Sequence, residues 1–302
     1  MVLHSRRRHR RHRKQDGGSD ELPPKPIGLC QCYNNDGNPC TNESIENSPF
    51  CQNHVNTCPK PPLTGYEPTY EDLKRYDSPL EVRRSHNCYS AAMMVMDNKL
   101  IQKCKSTKNN VSACRANFHQ PGARYGKRYE LNAEERRKCP VVERLVIDDN
   151  PDITKTTFYG KCPNGTSKIA FMVHDGVDFH FEPQLKNGMW GGKPGSNKTY
   201  TVDAVGKPIF NPELSSHDYR WQGSELNYKP CGFLCVPRNR KVELGSIGDE
   251  PAHRGGRRTR RQSQRYPMVG LGWDDPVHLR PLSRRAAALA AQRRRWTRRQ
   301  QK

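Results

Sequence analysis

The residues IAFMVHDGVDFHFE, from position 169 to position 182, decide the fold. The apolar run 169–173 is typical of a buried strand, and the three residues after it end in a glycine and favour a turn. Beyond the turn, Phe179 and Phe181 alternate with polar residues, which is the period of a second strand. The segment therefore predicts an antiparallel hairpin that carries His180 on its polar face.

Further elements are predicted on both sides of this hairpin. Downstream, Asn187-Gly188 favours a tight turn, and residues 199–203 favour a third strand. Upstream, residues 87–104 place apolar side chains at helical spacing behind an asparagine N-cap, and a second helix begins at Pro140. Helices that precede an antiparallel sheet indicate the α+β class.

Positive charge is concentrated at the two ends of the chain. Of a formal net charge of +21, residues 1–14 carry +7 and residues 253–302 carry +13, which leaves +1 for residues 15–252. Runs of arginine have no apolar surface to bury, so we expect them to be disordered alone and to order on a polyanion. The predicted polyanion-binding residues are Arg6, Arg7, Arg8, Arg10, Arg11, Arg257, Arg258, Arg260, Arg261, Arg293, Arg294 and Arg295.

Changes in composition divide the chain into five predicted segments. They are a basic disordered arm (1–29), a Cys/His zinc-binding module (30–58), an extended linker (59–82), an α+β domain of papain-like fold (83–240) and an Arg-rich tail with a terminal basic helix (241–302).

The predicted module contains a set of residues typical of a structural zinc site. Its candidate ligands are Cys30, Cys32, Cys40, Cys51 and His54, and either Cys30 or Cys32 is the first ligand. Tetrahedral zinc takes four nitrogen or sulfur ligands, and such a site supplies much of the folding energy of a module without a core. Paired or free cysteines are the alternative.

The remaining cysteines are interpreted through the expected compartment. The charged N-terminal segment is not followed by an apolar stretch, so we expect no secretory signal and synthesis in the cytoplasm. In that compartment the 12 cysteines are predicted to be thiols and metal ligands rather than disulfides, although a virion that becomes oxidising would pair some of them. No stretch approaches the roughly 18 apolar residues of a membrane span, which leaves peripheral membrane contact open.

Three residues suggest thiol chemistry. Cys88 lies at the start of a predicted helix, where the helix dipole favours a thiolate. His180 follows on a strand, and Asp203 lies at the end of the next predicted strand. A helix-borne Cys, a strand-borne His and a later Asp occur in the order of papain-like cysteine peptidases, with His180 as base and Asp203 as its orienting partner. The competing interpretation is that Cys88 only packs in the core.

The chain also resembles a family of proteins from large DNA viruses of algae and amoebae. The shared motifs extend over roughly residues 30–237 and exclude the basic ends. They are Asn87-Cys88, His180-Phe181, Asn187-Gly188-Met189-Trp190, Lys193-Pro194-Gly195, Asp203-Ala204-Val205-Gly206-Lys207-Pro208-Ile209 and the segment from Cys231 to Pro237. The resemblance implies that the protein is viral and enters the particle.

These observations lead to three expectations for function. The first is a virion-associated structural protein, either a minor capsid or an internal component, whose basic ends bind acidic capsid surfaces or the genome. The alternatives are a papain-like cysteine hydrolase packaged in the virion and a nucleic-acid-binding regulator. The expected partners are other virion proteins and DNA.

Overall fold

A computed structural model of the chain describes residues 22–248. The twelve arginines predicted to bind polyanions and the predicted terminal helix lie outside these residues. Within them, helices and an antiparallel sheet form an α+β fold, as predicted.

The sheet has four strands in the order β1-β4-β2-β3. Its strands are β1 (Thr154–Thr156), β2 (Thr166–His174), β3 (Asp178–Pro183) and β4 (Lys229–Pro237). The predicted hairpin is confirmed, because β2 and β3 pair antiparallel with Phe171 opposite Phe181 and Met172 opposite His180. All neighbouring strands are antiparallel.

The third predicted strand is wrong. Residues 199–203 form only isolated bridges, from Gly192 to Tyr200 and from Val202 to Pro208. The strand that pairs with the other edge of β2 is β4, about 60 residues further along the chain. This long-range pairing leaves the segment between β3 and β4 to fold as turns over one face of the sheet.

The helices are short and lie mostly before the sheet. They are α1 (Tyr70–Lys74), α2 (Leu80–Ser85), α3 (Cys88–Ala92), α4 (Asn98–Ser106), α5 (Val111–Arg115) and α6 (Cys139–Asp149). The helix predicted at Pro140 is confirmed as α6. The predicted linker 59–82 is not simply extended, because it contains α1. Thr69 and Asp72 cap the N-terminus of this helix with a capping box.

The predicted helix over residues 87–104 is broken in the middle. Asn87 caps α3 as expected, but Met94 has a φ of 57° and Asp97 caps a new helix, α4. A left-handed residue cannot continue an α-helix, and an aspartate whose side chain accepts a backbone N–H starts one. The apolar side chains of the segment are spaced as in a single helix, whereas the left-handed Met94 and the cap at Asp97 divide it into two helices.

The two faces of the sheet bury different sets of side chains, because alternate residues of a strand point to opposite faces. One face packs on α3 and α6, and the core on this side contains Phe179 and Phe181 of the sheet together with Cys88 and Tyr89 of α3. The opposite face packs on the segment between β3 and β4 around Trp190, with the metal-ligand module at its edge. His180 belongs to this second face.

Four disulfides cross-link the described residues, in contrast to the predicted reduced thiols. They join Cys32 to Cys58, Cys104 to Cys114, Cys139 to Cys231 and Cys162 to Cys235. Their Cα atoms lie 4.7–5.9 Å apart, within the range that a disulfide spans. The free cysteines are Cys30, Cys40, Cys51 and Cys88, all of them buried. None of the helices between residues 22 and 248 is long and apolar enough to cross a bilayer.

Candidate metal centre

Four of the five predicted ligands converge on one point. The sulfur atoms of Cys30, Cys40 and Cys51 and a ring nitrogen of His54 all lie within 4.8 Å of one another. His54 Nδ1 is 3.3 Å from Cys51 Sγ and 3.5 Å from Cys30 Sγ, and the Cys40 and Cys51 sulfurs are 3.8 Å apart. These four side chains could hold a single metal ion.

The backbone around the cluster explains how the ligands meet. Gly37, with a φ of 81°, closes a turn in which its N–H donates to Asn34 O, so the chain reverses before Cys40. Cys40 N then donates to Cys32 O, and Cys51 and His54 follow on a second turn. The N–H of Cys51 points at Cys30 Sγ over 3.2 Å, which supports that sulfur as a thiolate.

The thiols of the cluster have unequal acidity in the absence of an ion. Burial raises the pKa of Cys30 to about 12, with further contributions from the neighbouring thiols. Burial also opposes ionisation of Cys51, but hydrogen bonds from Cys30, from the backbone of Asn53 and from His54 outweigh it and lower the pKa of Cys51 to about 6. Three thiols crowded around one point resist ionising together, and a bound cation would remove that conflict.

Cys32 is not part of the cluster. Its sulfur is bonded to Cys58, four residues after His54, so the disulfide fastens the end of the module to its beginning. The choice between Cys30 and Cys32 as first ligand is therefore decided in favour of Cys30, and the prediction that included Cys32 among the ligands is corrected.

The module is attached to the sheet domain by side-chain hydrogen bonds. Gln31 Oε1 accepts from the backbone N–H groups of Phe210 and Asn211, and Gln31 Nε2 donates to Pro208 O. Phe50 packs edge-on against Phe210 with ring centroids 4.7 Å apart. An open groove of about 1000 Å³ lies between module and domain, with His54, Tyr33, Tyr159 and Glu213 among its lining residues.

The three predicted catalytic residues are not brought together. Cys88 packs beside Phe179 and Phe181, and its thiol lies against the carbonyl oxygen of Phe179. His180 points from β3 to the opposite face of the sheet, because it alternates with these two phenylalanines. The strand thus separates the thiol from the imidazole, which contradicts the predicted Cys88–His180 pair.

Cys88 is also in an environment that disfavours the thiolate. Burial raises its pKa well above the ordinary value for a thiol, and the charge of Asp178 raises it further. Its position at the start of α3 is real, but α3 has only five residues and the sulfur is enclosed by the core. The thiol is therefore a packing group in the described structure.

Asp203 serves the backbone instead of His180. Its carboxylate accepts hydrogen bonds from the N–H groups of Val205, Lys207 and Ser216, and it organises the turn after residue 203. Burial raises the pKa of Asp203, and these backbone donors oppose the rise. The predicted role of Asp203 in orienting His180 is wrong.

The actual partners of His180 form a buried polar network that the sequence interpretation missed. Tyr200 Oη lies 2.6 Å from both His180 Nε2 and Glu182 Oε1, and His217 Nε2 donates to the same Glu182 oxygen over 3.2 Å. Burial lowers the pKa of His180 to about 4, so this ring is neutral at pH 7. The two-residue spacing of His180 and Glu182 predicts that they share one face of β3. Tyr200 and His217 lie far from them in sequence and are brought to that face only by the fold.

A second buried group contains a serine, a histidine and an aspartate. Ser90 Oγ is 2.9 Å from His119 Nδ1, and His119 Nε2 is 3.2 Å from Asp97 Oδ2. The Ser90 hydroxyl also lies 3.1 Å from Asn87 Oδ1, a second partner within the core. Since Ser90 is fully buried, the group fastens α3 to the start of α4 and does not form a nucleophile.

Comparisons of the chain with models of protein families, with curated proteins and with solved structures found no match. The resemblance to a viral family and the papain-like fold therefore stay predictions.

Proposed function

We propose that this chain is a structural component of a large-DNA-virus particle and that its Arg-rich ends bind the packaged DNA. The observation that carries the proposal is the segregation of charge. The ends contribute +20 of the formal net charge of +21, and the residues between them contribute almost none. Arginine suits this role because its guanidinium group binds phosphate through two parallel hydrogen bonds.

The described body favours a structural role over the hydrolase. Four disulfides and the Cys/His cluster brace a body in which the thiol of Cys88 and the imidazole of His180 lie on opposite faces of the sheet. Covalent cross-links restrict the unfolded chain and so stabilise the fold, which suits a protein that must persist in an extracellular particle. Peptide hydrolysis would require a base within hydrogen-bond reach of the thiol.

The ion that fits the cluster best is structural zinc. In a tetrahedral site with Zn–S bonds of about 2.3 Å, two sulfur ligands lie about 3.8 Å apart, and a sulfur and a nitrogen about 3.5 Å apart. Three of the six separations in the cluster, 3.8, 3.5 and 3.3 Å, agree with these values, and all six are within 4.8 Å. Four protein ligands leave no open position for substrate, which is typical of structural zinc.

Zinc content is measured directly. The full chain, purified without chelator, is expected to contain one zinc ion per molecule by plasma mass spectrometry. Cys40→Ser removes a ligand and should lose the metal, whereas Cys88→Ser changes a buried cysteine outside the cluster and should keep it. Equal zinc content in the two variants would contradict the site.

DNA binding is tested on the full chain and on a variant in which all 22 Arg and Lys residues of positions 1–14 and 253–302, the twelve predicted arginines among them, are changed to glutamine, the ends-neutral variant. With six to ten phosphate contacts, the affinity of the wild-type chain for a fluorescent 30-base-pair duplex should fall by about 10³–10⁵ between 50 and 200 mM salt. The ends-neutral variant should bind more weakly, with a shallower salt dependence.

Equal salt dependence in the two proteins would refute DNA binding by the ends. A regulator, unlike a structural component, would discriminate between duplex sequences by at least about 10³ in affinity. Absence of the chain from purified particles would remove the assignment to the virion.

A further inference from the structure

The folded body carries its own concentration of positive charge. Residues 80–115 contain seven Lys or Arg residues and two acids. The cations lie on α2, α4 and α5 or in the loop between α4 and α5, and these three helices pack against one another. We call this set the cationic surface; its members are Arg83, Arg84, Lys99, Lys103, Lys105, Lys108 and Arg115.

The two acids of this segment do not neutralise it. Glu81 is largely buried and pairs with Lys105 over 2.9 Å. Asp97 accepts from His119 Nε2 and from the backbone N–H of Lys99. A formal charge of +5 therefore remains on three short helices, compared with +6 for all of residues 22–248.

Like charges also converge beneath this surface. The buried ammonium group of Lys193 donates to the carbonyl oxygens of Arg83, His86 and Gly195 at 2.6–2.8 Å. Burial lowers the pKa of Lys193 to about 7, and the positive charges of Arg83 and Arg115 contribute to the lowering. Repulsion among neighbouring cations is relieved when an anion binds beside them.

The tip of the surface has a fixed conformation. Lys108 and Asn109 are consecutive non-glycine residues with φ values of 53° and 58°, a conformation that costs free energy and persists only where the surrounding structure imposes it. The Cys104–Cys114 disulfide closes the loop around them, and Arg84 donates to Asn109 O. The disulfide and this hydrogen bond constrain the loop that presents Lys108.

The composition of the surface selects the kind of partner. Within residues 80–115, Leu80 at the start of α2 is the one exposed large hydrophobic side chain. Protein interfaces have an apolar, often aromatic centre, whereas interfaces with nucleic acid are polar and strongly positive. The exposed neighbours of the lysines are amides and hydroxyls that can bond phosphate oxygens: Asn98, Gln102, Ser106, Thr107, Asn110 and Ser112.

We infer that the cationic surface is a second DNA-binding site, one that contacts the phosphate backbone of a duplex from the folded body. The choice of ligand rests on the proposed function, whereas the site itself is independent of the ends of the chain. Lysines on the folded body would fix the orientation of the domain on the duplex, because phosphate contacts from an ordered element set orientation. The arginines at the ends of the chain would bind the duplex without fixing that orientation.

The test uses full-length chains in the ends-neutral background, so that binding by the body can be measured. One variant adds Lys99→Gln, Lys105→Gln and Lys108→Gln. The matched control adds Lys60→Gln, Lys161→Gln and Lys186→Gln, three exposed lysines elsewhere on the body. Affinity for the 30-base-pair duplex is measured by fluorescence anisotropy from 20 to 200 mM salt, and circular dichroism verifies the fold of each variant.

The ends-neutral protein should retain salt-dependent binding. The substitutions on the cationic surface should reduce the slope of log affinity against log salt by nearly 3, since each phosphate contact contributes about 0.9. The control should change neither slope nor affinity.

Three results would overturn the inference: no DNA binding by the ends-neutral protein at 20 mM salt, equal effects of the two triple variants, or stronger competition by polyglutamate than by DNA of equal charge. Failure of the proposed function has a different signature, namely equal slopes for the wild-type and ends-neutral chains.

Discussion

The substitution Glu182→Gln tests the buried charge pair on the face of β3 opposite Cys88. Glu182 Oε1 accepts hydrogen bonds from Tyr200 and from His217 Nε2, and both side chains of the Glu182–His217 pair are at most 1% exposed. His217 Nδ1 lies 3.2 Å from the carbonyl oxygen of Ser215, which can only accept. The imidazolium form is therefore the one that satisfies both ring nitrogens, and glutamine would leave it without an anionic partner.

The expected loss of stability is large because the pair is excluded from water. Removing one partner of a buried ion pair costs about 3–5 kcal/mol, since the other charge stays buried and uncompensated. We expect about 3 kcal/mol at pH 5.5, because His217 can release its proton in the variant and so escape part of the cost.

The pH dependence follows from the direction of the two pKa shifts. Burial acts to lower the pKa of His217, but the charge and hydrogen bond of Glu182 outweigh it and raise the pKa. Stability from a raised histidine pKa is fully present below the unfolded value of about 6.5 and is lost as the pH rises through the folded value. Burial opposes ionisation of Glu182, yet His217 lowers its pKa, so this contribution is present above about pH 4.3 and is lost on acidification. The pair stabilises most between these limits.

Urea unfolding followed by tryptophan fluorescence, with the disulfides intact, measures the effect at pH 5.5 and pH 9. The difference between wild type and Glu182→Gln should be larger at pH 5.5. Glu225→Gln, a change of an exposed glutamate, is the control and should cost less than about 0.5 kcal/mol. A Glu182→Gln effect no larger than the control at pH 5.5, or one that grows toward pH 9, would refute the charge-pair assignment.

Three further outcomes follow from the core and its cross-links. The Cys88 thiol should react with iodoacetamide at pH 7.5 at least about tenfold more slowly in the native protein than in urea, because burial suppresses its thiolate. Mass spectrometry measures the labelling, and fast labelling of the native protein would favour the peptidase interpretation. The double change Cys139→Ala and Cys231→Ala opens a disulfide that spans 92 residues and should cost about 2–5 kcal/mol in urea unfolding, and a cost below about 1 kcal/mol would contradict its role. Gly122→Ala would place a Cβ atom 2.5 Å from Leu145 Cδ2 in a backbone with a φ of 77°. Thermal unfolding should therefore show a larger loss of stability than for Gly188→Ala, where φ is 84° but the space is open. Equal losses of stability would contradict the packing.

The hairpin of β2 and β3 was predictable because its signal is local. An apolar run, a turn and a two-residue alternation lie within 14 consecutive positions. The strand β4 lacked such a signal, since Pro230 and Gly232 interrupt it and its register shifts opposite Phe171 and Met172. Its place beside β2 depends on contacts with residues about 60 positions away, which local periodicity does not encode.

The metal ligands and the proposed triad illustrate two kinds of inference from spacing. Cys40, Cys51 and His54 were predicted correctly as members of the cluster, because a short module can bring together only ligands that are near in sequence. The order Cys88, His180, Asp203 carried no such constraint. Whether Cys88 meets His180 depends on which face of β3 packs on α3, and that face contains Phe179 and Phe181.

The cationic surface is not predictable from the net charge of the body, because a charge summed over a long segment hides its distribution. Residues 80–128 carry ten Lys or Arg residues and two acids, a net +8, so the rest of residues 22–248 carries a net −2. A body with a net charge of +6 is therefore strongly polarised along the chain. Since a positive surface acts on a polyanion over about 10 Å at 0.1 M salt, this local excess, and not the total charge, would determine how the body approaches the DNA of the proposed function. Arginine-rich ends and a polarised body would then act together, and each should retain part of the binding when the other is neutralised.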